Sequence, residues 1–224
     1  VLPSPFPDNG LELNGTHFFD EVFQVDYAAY VVGGPRGKSG ALDFDYAQSR
    51  SAENYYIDNN SRPVVGGHLA WSILGQHASF QLGASAMTGT YDDDDQLRFT
   101  LVGTQAILHI EKAVIRAEYL ARRTEMAMGD APEMRFRYGP GAAGKFDPYV
   151  LREGFYTEAE VPIQRVDLVA RWDGLRRRGN VPMSSTLRSD SAVLRYTLGA
   201  SLLLRESLRL KLSGEFYDFS DFAD

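Results

Sequence analysis

Phe155-Tyr156-Thr157-Glu158-Ala159-Glu160-Val161-Pro162-Ile163, followed after Gln164-Arg165 by Val166-Asp167-Leu168-Val169-Ala170-Arg171-Trp172, decides the fold of this chain. Phe155, Thr157, Ala159, Val161 and Ile163 alternate with Tyr156, Glu158 and Glu160. Beyond the turn, Val166, Leu168, Ala170 and Trp172 alternate with Asp167 and Arg171. A period of two sends successive side chains to opposite faces of a strand; a helix would scatter the same residues around its axis. Pairing supplies a check. A two-residue turn at Gln164-Arg165 sets Val161 opposite Leu168 and Thr157 opposite Trp172, with Glu158 opposite Arg171 on the other face. One register sorts apolar from charged positions, and a slip of one residue would mix them.

The same pattern extends outward in both directions. Tyr196, Leu198, Ala200, Leu202 and Leu204 alternate with Arg195, Thr197 and Ser201, and Leu208, Leu210, Leu212, Gly214 and Phe216 with Arg209, Lys211, Ser213 and Glu215. A turn at Arg205-Glu206-Ser207 pairs Leu202 with Leu210 and Tyr196 with Phe216. A two-residue turn at Gly75-Gln76 pairs Trp71 with Phe80 and Leu69 with Leu82. Between Leu97 and Glu111 the apolar parity switches near Gly103, which predicts a β-bulge there. Ten strands are expected, over 11–18, 23–33, 64–74, 77–91, 97–111, 113–123, 150–163, 165–175, 192–204 and 208–217.

The connections alternate between tight turns near 75, 112, 164 and 206 and longer segments at 34–63, 92–96, 124–149 and 176–190. Outer-membrane barrels carry this asymmetry, with short periplasmic turns and long extracellular loops. The strands also exceed the roughly 5–6 residues usual in globular sheets and match a tilted membrane crossing. A soluble barrel would reverse the faces, apolar inward; strand length and loop asymmetry decide against it. The expected fold is therefore all-β, a transmembrane antiparallel up-and-down β-barrel occupying 1–224 as one domain. The placement of the two ends predicts a barrel continued by further strands on both sides.

Composition agrees. The 224 residues contain no cysteine and carry a net charge of −7. Mean hydropathy is −0.28, and no stretch approaches the roughly 20 consecutive apolar residues of a membrane helix. The acidic balance argues against nucleic acid as a partner.

The inward face is expected to hold Asp26, Arg98, Arg116, Glu118, Arg122, Glu158, Glu160, Asp167, Arg171, Arg195, Arg209, Lys211 and Glu215, lining a pore whose mixed charge tunes ion selectivity. The outward face is expected to present Trp71, Phe80, Tyr119, Trp172, Tyr196 and Phe216 to lipid. Asp92 to Asp95 form an acidic tip that reads as a solvated loop, with divalent-cation binding beside lipopolysaccharide as the sharper alternative. His17, His68, His77 and His109 lack metal-ligand spacing. No nucleophile is brought beside an oriented base, so no catalytic residue, metal or cofactor is expected.

Two pieces carry a resemblance. Asp58-Asn59-Asn60-Ser61-Arg62-Pro63-Val64-Val65-Gly66-Gly67-His68-Leu69-Ala70-Trp71, and Gly154-Phe155-Tyr156-Thr157-Glu158-Ala159-Glu160 with Val169-Ala170-Arg171-Trp172-Asp173, resemble strands of the phosphate-selective porin O/P-type family. Leu11-Glu12-Leu13-Asn14-Gly15 and Tyr27-Ala28-Ala29-Tyr30-Val31-Val32-Gly33 are similar to its middle strands. The resemblance implies a trimeric barrel of about 16 strands passing anions or small solutes. Two features depart from it: the chain stops at Phe222-Ala223-Asp224 rather than on a terminal aromatic strand, and the inward charges are mixed. The expected function is an outer-membrane porin of a Gram-negative envelope, with outer-membrane lipid, lipopolysaccharide and small solutes or anions as partners, in a homotrimer or envelope complex. The alternatives are a structural barrel subunit of an envelope complex and a barrel-rim hydrolase. Loop 34–63 separates the first two, since it is long enough to constrict a lumen or to reach a partner.

Overall fold

The computed structural model describes residues 9–34, 61–92, 94–131, 134, 149–181, 183, 188, 190–205 and 208–222. They form ten strands: β1 (Gly10–Phe18), β2 (Phe23–Val32), β3 (Val64–Leu74), β4 (Ala78–Thr90), β5 (Arg98–Ile110), β6 (Ala113–Glu125), β7 (Tyr149–Ile163), β8 (Val166–Gly179), β9 (Asp190–Arg205) and β10 (Leu208–Phe222). All lie in one sheet in sequence order, each antiparallel to the next. No helix occurs among the described residues. β1 and β10 are the sheet's two edges and are not bonded to each other.

Two of the three hairpin registers read from sequence are observed: Val161 faces Leu168 and Thr157 faces Trp172, and Leu202 faces Leu210 and Tyr196 faces Phe216. The third differs. Trp71 pairs with Leu82 and Ile73 with Phe80, two residues away from the expected partners. The cause is the turn: it runs from Gly75 to Ala78, closed by the Gly75 amide donating to the Ala78 carbonyl at 2.9 Å. A slip of two preserves parity, so the faces are unchanged.

The bulge expected near Gly103 is absent, since β5 pairs with β4 and β6 without a register shift. The parity switch has another origin. Phe99 and Leu101 stay on the polar face and join Val64, Met87 and Tyr91 in a buried cluster backed by Tyr30, Val32, Leu97 and Leu120. At the end of the sheet bearing the long connections, that face is locally apolar from β2 to β6.

The two faces differ in shelter as well as polarity. Trp71 and Ile73 are 39% and 51% exposed, while Ser72 between them is 4% exposed. The apolar positions stand open on all ten strands, for example Leu11, Tyr27, Leu69, Leu82, Val102, Tyr119, Val161, Trp172, Leu198 and Phe216. On β2 to β9 the polar positions are the more covered ones, while on the edge strands β1 and β10 both faces are largely exposed. Aromatic rings run across the apolar face: Phe155 meets Trp172 edge-on at 4.8 Å between centroids, Trp172 stacks on Tyr196 at 6.4 Å, and Tyr196 neighbours Phe216 at 6.4 Å.

Gly174 makes this row possible. A Cβ there would come within 2.6 Å of the Leu194 side chain and 2.9 Å of the Phe155 ring, which covers the bare backbone. Gly174→Val is expected to displace Phe155 from Trp172 and cost about 1–3 kcal/mol in equilibrium unfolding. Gly214→Ala is the control: nothing lies within 4 Å of its added Cβ, and its effect should stay within about 0.5 kcal/mol.

Candidate functional site

The covered face carries the chemistry. On β6 to β10 its side chains fall into cross-strand rows fixed by register. The central row is Arg116, Glu158, Arg171, Thr197 and Glu215; the next toward the long connections is Glu118, Tyr156, Asp173, Arg195 and Tyr217. Acids and bases interdigitate. Arg116 reaches Glu158 at 3.2 Å and Glu160 at 3.4 Å, and Arg171 reaches Glu158 at 3.4 Å and Asp173 at 3.2 Å. Arg195 reaches Asp173 at 3.1 Å and Glu215 at 3.7 Å. Arg171 also lies over the Tyr156 ring at 4.4 Å. The result is one zipper, Glu160–Arg116–Glu158–Arg171–Asp173–Arg195–Glu215, crossing five strands. Arg209 pairs separately with Asp167 at 3.0 Å, nearer the tight turns.

Expected inward residues Asp26, Arg116, Glu118, Arg122, Glu158, Glu160, Asp167, Arg171, Arg195, Arg209, Lys211 and Glu215 all lie on this face by register. Arg98 does not. It pairs with Thr90 and precedes the inward Phe99, so it belongs to the apolar face, at the strand end. The expected bulge would have turned it inward; continuous pairing keeps it out. The expected outward set, Trp71, Phe80, Tyr119, Trp172, Tyr196 and Phe216, shares the apolar face.

A second feature escaped sequence reading. Six residues along the strands from the central row, roughly 20 Å at 3.3 Å per residue, Arg122, Arg152 and Arg177 stand side by side in register on β6, β7 and β8. Arg122 is 3% exposed and Arg177 9%. Arg177 Nη1 donates to the Arg188 carbonyl at 3.1 Å, which helps orient the guanidinium. Like charges set directly across strands are unfavourable, so the countercharge for this row has to come from outside it. Arg152 and Arg177 could have been found by extending β7 and β8 to their full lengths and continuing the pairing.

On β3 to β5 the covered face is uncharged apart from His68 and His109. His68, Ser85, Gln105, Gly83 and Gly103 bound a water-sized hollow of about 30 Å³ with Glu118 at its edge. Among the described residues no cluster of three or more potential metal ligands occurs.

The acidic tip departs from a solvated loop. Asp92 is 2% exposed, and one of its oxygens accepts the Leu97 amide at 2.7 Å and the Gln96 amide at 3.0 Å. It caps the β4–β5 connection. Asp95 accepts the Ser61 hydroxyl at 2.5 Å and the Thr90 hydroxyl at 3.2 Å, and the Ser61 bond is the main cause that holds its carboxyl below the ordinary value. Tyr91 OH donates to the Glu125 carbonyl, tying the same connection to the end of β6. Loop 35–60 lies outside the described residues.

Comparison of the chain with protein-family models, with curated proteins and with solved structures gives no match.

Three outcomes follow from this geometry. Glu158→Gln removes the carboxylate shared by Arg116 and Arg171; with all three side chains partly exposed, the expected loss is about 1 kcal/mol in low-salt unfolding, shrinking in 1 M salt, where the Debye length is about 3 Å. Asp92→Ala should cost about 1–3 kcal/mol by leaving two amides unmet, while Asp92→Asn keeps an acceptor and most of the stability. Because the Asp95 pKa is depressed, the Ser61 tie holds above the ordinary carboxylate range and is lost only as pH falls through the lowered value; carboxyl NMR should show that pKa rising in Ser61→Ala.

Proposed function

We propose that this chain forms the wall of an outer-membrane β-barrel channel, a porin passing small hydrophilic solutes and ions, with anions favoured. The observation that carries the reading is the exposure asymmetry: on β2 to β9 the apolar face is the open one and the polar face the more sheltered one. A soluble barrel packs its apolar side chains inward, where they would be the covered set. Here Leu198 at 70% and Leu212 at 78% exposure stand open while the polar Ser72 and Ser201 are covered, which fits a sheet curled around its polar side.

Magnitude favours lipid as the solvent for the apolar face. Each large apolar side chain moved from water to hydrocarbon is worth about 1.5–3 kcal/mol, and with open apolar positions on every strand the sum reaches tens of kcal/mol. Such a contiguous surface in water would drive association. In lipid, the backbone groups of β2 to β9 are already paired within the sheet, while the edges of β1 and β10 require partner strands, supplied by closure or by further strands. Strand lengths of 9 to 16 residues suit a tilted crossing, and the row from Phe155 to Phe216 puts large aromatic side chains on the face that would meet lipid.

The arginine row supports the preference for anions. The zipper below it has four acids and three bases and is nearly self-neutral, whereas Arg122, Arg152 and Arg177 put three bases and no acid at neighbouring register positions of β6, β7 and β8.

The test is planar-bilayer recording of the full-length protein. Stepwise conductance is expected, with a reversal potential in a salt gradient favouring anions. Substituting Arg152 by Gln should move that potential toward the non-selective value. Folded, inserted protein that passes no current would sink the channel reading.

A further inference from the structure

On the uncharged side of the covered face, β3 to β6 meet in two adjacent cross-strand rows. His68, Ser85 and Gly103 stand in one, and Ala70, Gly83, Gln105 and Glu118 in the other. Gly83 and Gly103 are therefore diagonal neighbours, both buried, and leave bare backbone in the middle of a polar surface. Side chains lean over it. A Cβ on Gly83 would lie 3.0 Å from His68 Cε1 and 3.1 Å from Gln105 Nε2, and one on Gly103 would lie 2.9 Å from Ser85 Oγ. The hollow of about 30 Å³ is the space these groups ring, with room for roughly one or two groups the size of water.

The hydrogen-bonding capacity around this hollow is unspent. Elsewhere on the same face polar side chains satisfy one another: the Gln81 amide donates to the Ser72 hydroxyl at 3.2 Å, and Asp26 accepts the Thr16 hydroxyl at 2.6 Å and the Gln24 amide at 2.8 Å. Among the described residues no side-chain hydrogen bond engages His68, Ser85 or Gln105. Glu118 accepts the Tyr156 hydroxyl, and a carboxylate with about four lone-pair sites can accept more.

We propose that this hollow is a subsite for a hydroxyl group of a neutral polyhydroxylated solute, a sugar or polyol whose body stays in the lumen. The inference rests on the channel reading for its biological use and names a solute class within it. Donor and acceptor types carry the argument. Gln105 offers N–H donors and a carbonyl oxygen, Ser85 a hydroxyl that gives or receives, a neutral His68 imidazole one nitrogen of each kind, and Glu118 acceptors only. A solute hydroxyl also gives and receives, so it can donate to Glu118 while accepting from Gln105 or Ser85. An anion would confront the Glu118 carboxylate. An ammonium group only donates, and would leave the Gln105 donors facing it. A hydroxyl that enters reproduces the hydrogen bonds of the water it displaces, which is the condition for displacement without loss.

The experiment is saturation-transfer NMR on the full-length protein, in a detergent without a sugar headgroup. Its probes are glucose, permethylated glucose (the same ring with no hydroxyl to donate) and ethylammonium. Glucose should saturate at roughly millimolar concentration, and the other two should bind at least about ten-fold more weakly. Ser85→Ala removes one hydroxyl, and Gln105→Leu removes both amide groups at similar volume; each should weaken glucose roughly three- to ten-fold. Gln81→Leu is the control, since that amide is already spent on Ser72, and it should leave glucose affinity unchanged. Should Gln105→Leu fail to fold by circular dichroism, Ser85→Ala, which deletes a single oxygen, carries the test. A glucose signal that never saturates, permethylated glucose or ethylammonium binding as tightly as glucose, or indifference to Ser85→Ala would each overturn the proposal. Bilayer recording separates the two readings. Conductance without saturable glucose binding removes the subsite and leaves the channel, whereas saturable glucose binding without conductance supports the subsite and removes the channel.

Discussion

Everything in this sheet depends on register. Nine antiparallel pairings run in sequence, and each must hold the same parity as its neighbours or the two faces exchange. A slip of one residue between β8 and β9 would swing Trp172 onto the level of Arg195 and bring Leu198 and Leu202 among the charges, exposing apolar groups and burying ions together. The free energy that forbids this is mainly the sorting of large side chains, at about 1.5–3 kcal/mol each. Partly exposed ion pairs contribute about 0.2–1 kcal/mol each. The zipper follows from the register more than it enforces it. The β3–β4 turn shows the corollary: a two-residue displacement is tolerated because it leaves Leu69, Trp71 and Ile73 on the face they were meant to occupy.

That division explains what could be read from the chain. Strands, order, parity and two hairpin registers were legible because period-two alternation is local and each tight turn links strands only a few residues apart. Three things were not. The turn at Gly75 was shortened in the reading because both lengths give the same faces. Phe99 and Leu101 looked outward because apolar residues in a barrel strand normally are; their burial comes from Val64 and Met87 on neighbouring strands and Tyr91 in the following connection, information absent from β5 itself. Arg98 was misplaced by the same error, since the bulge invoked to explain Phe99 carried it to the wrong face.

The acidic tip failed for a different reason. Four consecutive aspartates read as solvent-exposed because charge repels charge and water receives it cheaply. Yet a carboxylate is also the strongest available acceptor for backbone amides, and Asp92 is spent on two of them. Asp95, three residues on, is occupied by hydroxyls from Ser61 and Thr90. The side chains of this tip that the structure engages serve the connection between β4 and β5, leaving less charge for a cation than the sequence advertises.

Charge on the covered face thus has two modes separated by about six residues along each strand. In the zipper, each arginine sits between two carboxylates, so its field is cancelled within a few ångströms and its contribution is to hold side chains in place. In the arginine row, cross-strand register sets Arg122, Arg152 and Arg177 against one another, so no acid lies directly across from them on β6 to β8 and their countercharge comes from outside the row. Composition cannot separate these modes, because both are built from arginine on strands of the same alternation. Position can: a base opposite an acid is neutralised within its own row, and a base opposite a base depends on groups elsewhere in the fold.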